Sequence, residues 1–581
     1  MSVEKLIVDH METWTSALQT RSTAGRGSSG KIDLYGIKKL RELILELAVR
    51  GKLVPQDPND EPASELLRGM KKQQEDLIKE RKIKKPKKLP SIDGTLESIS
   101  VPQGWELCYL NDIGDWGAGA TPNRTNSGYY GGDIPWFKSG ELSEDYITDS
   151  EEHITALALK ECSLRYNQPG DVLIAMYGAT IGKTSILNTR STTNQAVCAC
   201  TPFDGLSNQY LLIFLKASKK VFTAMGAGGA QPNISKEKIV ATLFALPPLN
   251  EQLRIVKKVE QLMSLCDQLE QQSLTSLDAH QQLVETLLGT LTDSQNAEEL
   301  AENWARISEH FDTLFTTEAS VDALKQTILQ LAVMGKLVPQ DPNDEPASEL
   351  LKRIAQEKAQ LVKEGKIKKQ KPLPPISDEE KPFELPEGWE WIRLGNIGEV
   401  KGGGTPSKNN SDFWKGNIPW VSPKDMKVNY ISKSQLNISK EAVLESSVHL
   451  IPENSLIFVV RGMILAHTFP VAITKKEVTI NQDMKAISTN QLNTDFLIYL
   501  LKANETRVIC LVDRSSHGTC KLVSDKLFNL VLPLPPLEEQ FRITERINML
   551  LAYCDRLKNY INLKKQTQLH LADALTDAAV N

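Results

Sequence analysis

What this chain lacks narrows its chemistry first. Eight cysteines are spread over 581 residues, and they set out no disulfide framework. Cys198 and Cys200 stand as C-x-C, but no second pair follows at zinc-ligand spacing. The cysteines therefore read as small buried apolar residues in a reducing compartment. No apolar run reaches the ~18 residues of a membrane span. The opening stretch, MSVEKLIVDHMETW, carries charge where a secretory signal needs an apolar core. A soluble, cytoplasmic protein that engages no membrane is expected. An excess of positive charge is missing too: 68 Lys and Arg face 73 Asp and Glu, a net charge of −5. That total does not itself point to a polyanion, yet it leaves room for local basic faces. Catalytic signatures are also missing. There is no H-E-x-x-H, no G-x-S-x-G, no EF-hand loop and no D/N-P-P-Y tetrapeptide.

What is present is a chain written twice. Residues 51–67 read GKLVPQDPNDEPASELL, and residues 335–351 read the same. Gly104-Trp105, Thr121-Pro122 and Ile134-Pro135-Trp136 return 284 residues later as Gly388-Trp389, Thr405-Pro406 and Ile418-Pro419-Trp420. Near the end of each copy, LPPLNEQLRIVKKVEQLMSLCDQLE (246–270) answers LPPLEEQFRITERINMLLAYCDRLK (534–558). This is one large module duplicated, not a short-period solenoid. The flanks are nearly identical while the middles, about 105–245 and 389–533, diverge. Identical flanks suggest two identical jobs, such as holding two copies of one partner. Divergent middles suggest two different targets.

Each copy ends in a helix that starts after Pro-Pro, as proline near a first turn allows. Ile543, Ile547, Leu550, Cys554, Leu557 and Ile561 are spaced 4, 3, 4, 3, 4, a heptad seam. Ile255, Val259, Leu262, Cys266 and Leu269 repeat it in the first copy, with Ser273 at the sixth place. About 38 residues of helix would span ~57 Å. The seams are expected to pair with each other as a rigid spacer between the middles. Within the middles, DVLIAMYG (171–178) and SLIFVVRG (455–462) read as buried strands. NQYLLIFLKASKKVF (208–222) and DFLIYLLKANETRVI (495–509) read as helices. The fold class is therefore mixed α/β. The expected order is an N-terminal helix and flexible linker (1–35), a helical flank with a basic run (36–100), a first middle (101–248) and a central long helix (249–290). A linker with the second flank and basic run (291–384), a second middle (385–536) and a C-terminal long helix (537–581) follow.

The stretch YGATIGKTSIL (177–187) resembles a phosphate-binding loop. However, Gly178 to Gly182 leaves three intervening residues where that loop has four. The second copy has Ala466-His467 in place of Gly182-Lys183. The stretch reads instead as a strand leading into a tight glycine turn, with Lys183 and His467 facing a polyanion from equivalent loops. The eight histidines are scattered and are not expected to recur between copies.

Two basic runs follow the flanks. KERKIKKPKK (79–88) has a net charge of +6 and KEGKIKKQK (363–371) of +4. Both keep Ile-Lys-Lys, with Lys84 and Lys85 in one and Lys368 and Lys369 in the other, a pattern suited to salt-dependent attraction of nucleic acid. Base readout needs paired donors and acceptors: Arg or Lys for guanine, Asn or Gln for adenine. In the first middle the candidates are Arg124, Lys138, Lys183, Arg190, Asn194, Gln195, Gln231 and Asn233. In the second they are Lys408, Lys424, Arg461, His467, Asn481, Gln482, Arg514, His517 and Lys521. The recurrence of Asn-Gln at 194–195 and 481–482 fits a structural role as well as a reading one.

The stretches GWELCYLNDIG, GATPN and GGDIPWFKSGEL of the first copy resemble the DNA-specificity subunits of type I restriction–modification systems. So do GWEWIRLGNIG, GGTPSKNNSDFWKGNIPWVSPKDM and the two LPPL-N/E-EQ helix starts. The resemblance spans about residues 35–576. It implies that the middles are target recognition domains, each reading one half of an asymmetric two-part sequence in double-stranded DNA. It implies that the long helices pack as an antiparallel coiled coil that sets the gap between the half-sites. It implies two docked modification (methyltransferase) subunits and, through them, restriction subunits. S-adenosylmethionine, ATP and Mg2+ would then lie on those partners, leaving this chain without cofactor, metal or catalytic residues. Replacement of Gly182-Lys183 by Ala466-His467 leaves that loop without an implied role. Two other readings stay open. An enzyme, an NTPase or nuclease, would show turnover by the purified chain alone; a protein-assembly scaffold, whose middles bind protein and not DNA, would show no sequence preference and a shallow salt dependence.

Overall fold

In a computed structural model, all residues are described except 1–2, 21–31, 93–100, 227–231, 366, 368–371, 515–519 and 581. The chain divides into two compact units. One comprises the described residues up to Thr275 together with the C-terminal stretch from Lys565; the other runs from Ser276 to Lys564.

The two units have the same mixed α/β plan. In the first, a five-stranded sheet has the order Gly114–Ala118, Val197–Pro202, Val172–Ala175, Thr184–Leu187, Tyr146–Ile147. In the second, Glu399–Gly402, Met484–Ser488, Leu456–Val459, Val471–Thr474 and Tyr430–Ile431 take the same places. The first four strands of each are antiparallel and the last joins in parallel. The central strands VLIA and LIFV are buried at every position, because both of their faces are covered. Val172 and Ile174 join a core with the helix Asn208–Ala217, whereas Leu173 and Ala175 join a smaller cluster with Phe137 and Leu187. This is the two-residue alternation of a strand. A second, three-stranded sheet sets the IPW strands, Tyr130–Phe137 and Ile418–Val421, between their neighbours. Among the described residues the hairpin Val512–Arg514 with Cys520–Leu522 occurs only in the second unit.

The long helices run Leu249–Asp293 and Leu537–Val580, 45 and 44 residues, or roughly 67 Å each at 1.5 Å per residue. Their seams do not meet each other as expected; each packs within its own unit. In the first unit Ile255, Val259, Leu262, Cys266 and Leu269 are buried with Leu40, Leu43 and Leu47 of the flank helix Tyr35–Val49. Leu569, Ala572 and Leu575 from the tail of the second long helix contribute to that core. In the second unit Ile543 and Ile547 join the sheet core. Leu550, Cys554, Leu557 and Ile561 pack with Leu324, Ile328 and Leu331 of the flank helix Glu318–Val333, and with Val284, Leu288 and Leu291 of the first long helix. The packing in each unit is thus three-helical: flank helix, head of one long helix, tail of the other. Ion pairs follow the apolar seam, from Arg41 to Asp267 (2.7 Å) and Glu270 (2.8 Å), and from Lys558 to Asp322 (2.9 Å).

The N-terminal segment corrects one expectation. Its two helices have counterparts in the second copy. The helices Val3–Asp9 and Met11–Ser16 meet at His10, and Ala297–Glu309 and Phe311–Leu314 meet at His310. The backbone at the two histidines matches, with φ −121° and ψ 25° against φ −110° and ψ 18°. One pair of histidines does therefore recur, 300 residues apart. The segment between Thr20 and Ile32, read as a linker, lies outside the described residues.

Candidate nucleic-acid interface

In each middle one frame is built from the motifs that the two copies share. The Thr-Pro loop crosses the ends of the sheet strands so closely that only glycine fits. A Cβ on Gly119 would stand 2.1 Å from the Thr193 carbonyl oxygen, and one on Gly403 would stand 1.8 Å from that of Asn481. The indole of the IPW tryptophan ties the loop down. Trp136 Nε1 donates to the Ala120 carbonyl at 3.0 Å, and Trp420 Nε1 to that of Gly404 at 2.9 Å. The loop threonine hydroxyl, Thr121 or Thr405, then donates to the side-chain oxygen of Gln195 or Gln482. The neighbouring asparagine holds its own turn: Asn194 accepts from the Ala196 amide (3.1 Å) and Asn481 from that of Asp483 (3.0 Å). Asn481 is 6% exposed, so it is a turn former and not a reader. Gln195 and Gln482 stay exposed, and their amide NH2 groups make no hydrogen bond among the described residues.

Around this frame the first middle gathers residues from distant segments. Arg124 Nη1 donates to Glu152 Oε2 at 2.7 Å, and Lys138 Nζ donates to Glu152 Oε1 at 3.1 Å. The Arg124 hydrogen bond, and then that of Lys138, hold the Glu152 carboxyl below its usual range against some desolvation. Lys183 Nζ donates to the Gly140 carbonyl at 3.2 Å. Asn233 bridges to Tyr177 at the foot of the same hairpin. Arg124 and Lys138 thus meet on one carboxylate, Gln195 holds the loop that carries Arg124, and Lys183 and Asn233 make separate contacts at the neighbouring hairpin. Arg190 is exposed but makes no link to these contacts. Gln231 lies outside the described residues.

The loop of residues 178–183 is settled by backbone geometry. Gly178 and Gly182 have φ of +63° and +78°, values that L-residues with side chains rarely adopt. The Ala175 amide donates to the Lys183 carbonyl, and the Gly182 amide to that of Ala175. The chain returns as the strand Thr184–Leu187, antiparallel to Val172–Ala175. It is a hairpin turn, as the glycine spacing suggests, whose three-residue 3-10 turn, Gly178–Thr180, leads into a strand and not into the α-helix that a phosphate-binding loop opens.

In the second middle, Arg461 bridges to Lys521 and lies 3.8 Å from Asp483. Arg514 donates to the Ala466 carbonyl at 3.3 Å, next to the exposed His467. Lys408 follows the Thr-Pro loop and Lys424 follows the IPW strand. Lys408, Lys424 and Lys521 are exposed and make no ion pair among the described residues. His517, Lys368 and Lys369 lie outside the described residues. Lys84 and Lys85 are exposed beyond the end of the helix Ala63–Lys79, and no described contact ties them to the frame.

Two sets of residues were missed by reading donors alone. One is Glu152, an acid among candidate cations. The other is the Glu-Gln pair after each LPPL, which fastens the middle to its long helix. Gln252 accepts from the Ser207 amide (2.8 Å) and donates to the carbonyls of Gly205 and Pro247. Gln540 accepts from the Asn493 amide (3.0 Å) and donates to the Pro535 carbonyl. Glu251 and Glu539 are equally buried, and burial raises their carboxyls above the usual range. Each accepts from the repeated flank, from Gln56 and Gln340 respectively, at 3.1 Å. Arg254 pairs with Asp60 and Arg542 with Asp344, both at 2.6 Å. The exact recurrence of these motifs was the available signal.

No helix is long and apolar enough to cross a membrane among the described residues. Residues 102–279 and 386–566 match the Methylase_S family, described as the type I restriction modification DNA specificity domain. The chain is 49% identical to the type I restriction enzyme EcoAI specificity subunit of Escherichia coli, with both chains covered in full. It is 44% identical to the EcoEI specificity subunit of the same organism, again over both full lengths. A chain solved in a structure of a type I restriction–modification system aligns with TM-score 0.46 at 17% identity, covering 83% of this chain and 99% of that one. Two matching domains on one repeated frame, and full-length relatives of that kind, lead to one conclusion: the chain belongs to the type I restriction–modification DNA specificity family, as a non-catalytic subunit that recognises a DNA target.

Proposed function

We propose that residues 101–248 and 385–536 are two target recognition domains, each reading one half of an asymmetric, two-part site in double-stranded DNA. The observation that carries this reading is the pair of equivalent frames, each presenting different side chains. Shared hydrogen bonds hold the Thr-Pro and Asn-Gln loops in both, while the groups displayed around them differ. Half-sites one helical turn apart are about 34 Å apart, within the reach of a ~67 Å helix. The long helices set that gap, pairing as an antiparallel spacer. The identical flanks dock two copies of one partner, a modification subunit, and restriction subunits join through it. S-adenosylmethionine, ATP and Mg2+ belong to those subunits, and the assembly works in the cytoplasm.

The test is selection from a random duplex pool with the full chain co-purified with its modification subunit. Two short blocks with a fixed gap are expected. Replacing residues 105–245 by the middle of another family member should change one block and leave the other. A change in both blocks would sink the division of labour. Binding with no motif would favour an assembly scaffold that does not read DNA.

A further inference from the structure

We infer that Arg124 reads a guanine in the half-site of the first recognition domain, that Glu152 is its positioning residue, and that the second domain has no counterpart. The inference rests on the DNA-reading role proposed above and deepens it.

Arg124 is unusually constrained for an exposed arginine. Its guanidinium lies 4.8 Å from the centroid of the Tyr130 ring and 4.9 Å from that of Trp136. Both rings are pinned to the loop that carries it. The Tyr130 hydroxyl donates to the Pro122 carbonyl at 2.7 Å, and the Trp136 indole to that of Ala120. Glu152 holds Nη1 and is itself fixed from its other oxygen by Lys138. The Arg124 side chain is still 53% exposed, and its Nε and Nη2 make no hydrogen bond among the described residues. A planar fork is therefore held in one orientation with a donor edge free.

That arrangement fits a base better than a phosphate. Guanine presents O6 and N7 as paired acceptors in the major groove, and a guanidinium edge matches them. A phosphate needs only a mobile cation, which a lysine supplies. The Glu152 carboxylate also offsets the charge of Arg124 and would repel a phosphate placed beside it. In the second domain the same place holds Lys408. Trp420 pairs there with Leu436, where Trp136 meets Glu152 in the first. Ser422 takes the place of Lys138. Among the described residues no carboxylate pairs with Lys408, as suits a phosphate contact.

The experiment repeats the pool selection with Arg124→Ala, Arg124→Lys, Glu152→Gln and Lys408→Ala in the full chain with its modification subunit. In the unmodified protein one position of one block should be guanine. Arg124→Ala should lower the preference for guanine there by about 5- to 150-fold, leaving the other positions and the other block intact. Arg124→Lys keeps the charge, so it should bind with the same salt dependence yet lose that preference. Glu152→Gln should weaken preference at the same position alone, and Lys408→Ala should change none. If Arg124→Ala and Arg124→Lys leave the motif intact, and Arg124→Ala weakens all sequences evenly, Arg124 holds a phosphate and the inference is overturned. An unchanged motif with Glu152→Gln would remove Glu152 from the assignment. A motif absent already from the unmodified protein would mean that the DNA-reading role itself has failed.

Discussion

At one register position the first recognition domain has Glu152 and the second has Leu436. Around these two residues the backbones agree. Strand order is the same, the tryptophan of IPW reaches the same carbonyl, and the loop threonine finds the same glutamine. Within this common frame, one domain stacks Arg124 against two rings and a carboxylate, while in the other Lys408 makes no ion pair among the described residues. The difference teaches that the shared motifs fix where a side chain stands and not what it offers. Such a frame tolerates new tips because its own hydrogen bonds are made by main chain and by residues that both copies share.

The strongest way to break the comparison is to remove a frame element from each copy. Gln252→Ala strands one amide and two carbonyls, and Gln540→Ala strands one of each. Each should cost about 2–4 kcal/mol of stability in denaturant unfolding, as for other buried groups left unpaired. A loss confined to one copy would show that the frames are not equivalent. A smaller effect sharpens the contrast at the tips. Lys408→Ala and Lys521→Ala should each lower the slope of log affinity against log salt by about 1. Lys138→Ala should lower it by less, since Glu152 already offsets Lys138. Equal slopes would mean that the ion cluster opens on DNA.

The smallest effect is in pH. Arg124 first, and Lys138 with it, depress the Glu152 carboxyl. Its contribution to the first domain is fully present above the unfolded carboxyl value and is lost as pH falls through the lower folded one. Leu436 has no proton to take up, so the second domain should lack this step. An NMR titration of Glu152 with its midpoint at or above that of an unfolded peptide would contradict the cluster.

The repeat, the long helices, the buried strands and the hairpin at 178–183 were legible because each leaves a periodic or spaced signal. The N-terminal half-repeat was not. His10-Met-Glu-Thr and His310-Phe-Asp-Thr share only two residues in four, and the segment from Ala17 to Leu34 breaks the offset. The seams were found, yet the heptad pattern shows only that a stripe is buried. It cannot say that Leu40 and Leu324 of the flank helices lie against it. Among candidate readers, Asn481 was a plausible adenine contact by residue type, and only its burial shows it to be a turn former. Glu152 escaped because a search for polyanion contacts looks for donors, and the acid that orients a donor carries the wrong sign.

The duplicated flank leaves the folding chain an ambiguity. Gln56 must find Glu251, 195 residues away, and Gln340 must find Glu539, 199 away. The segments carrying Gln56 and Gln340 are identical over seventeen residues, so neither glutamine can tell the two glutamates apart by local chemistry. The crossed encounter of Gln340 with Glu251 closes a loop of only 89 residues (340 minus 251). By loop-closure entropy that shorter route is favoured by about 0.7 kcal/mol. Correct assembly must therefore be imposed by the middles, whose divergence gives each copy a sheet edge and helix face of its own. The variation that separates two DNA half-sites would also keep one polypeptide from confusing its own two halves while it folds.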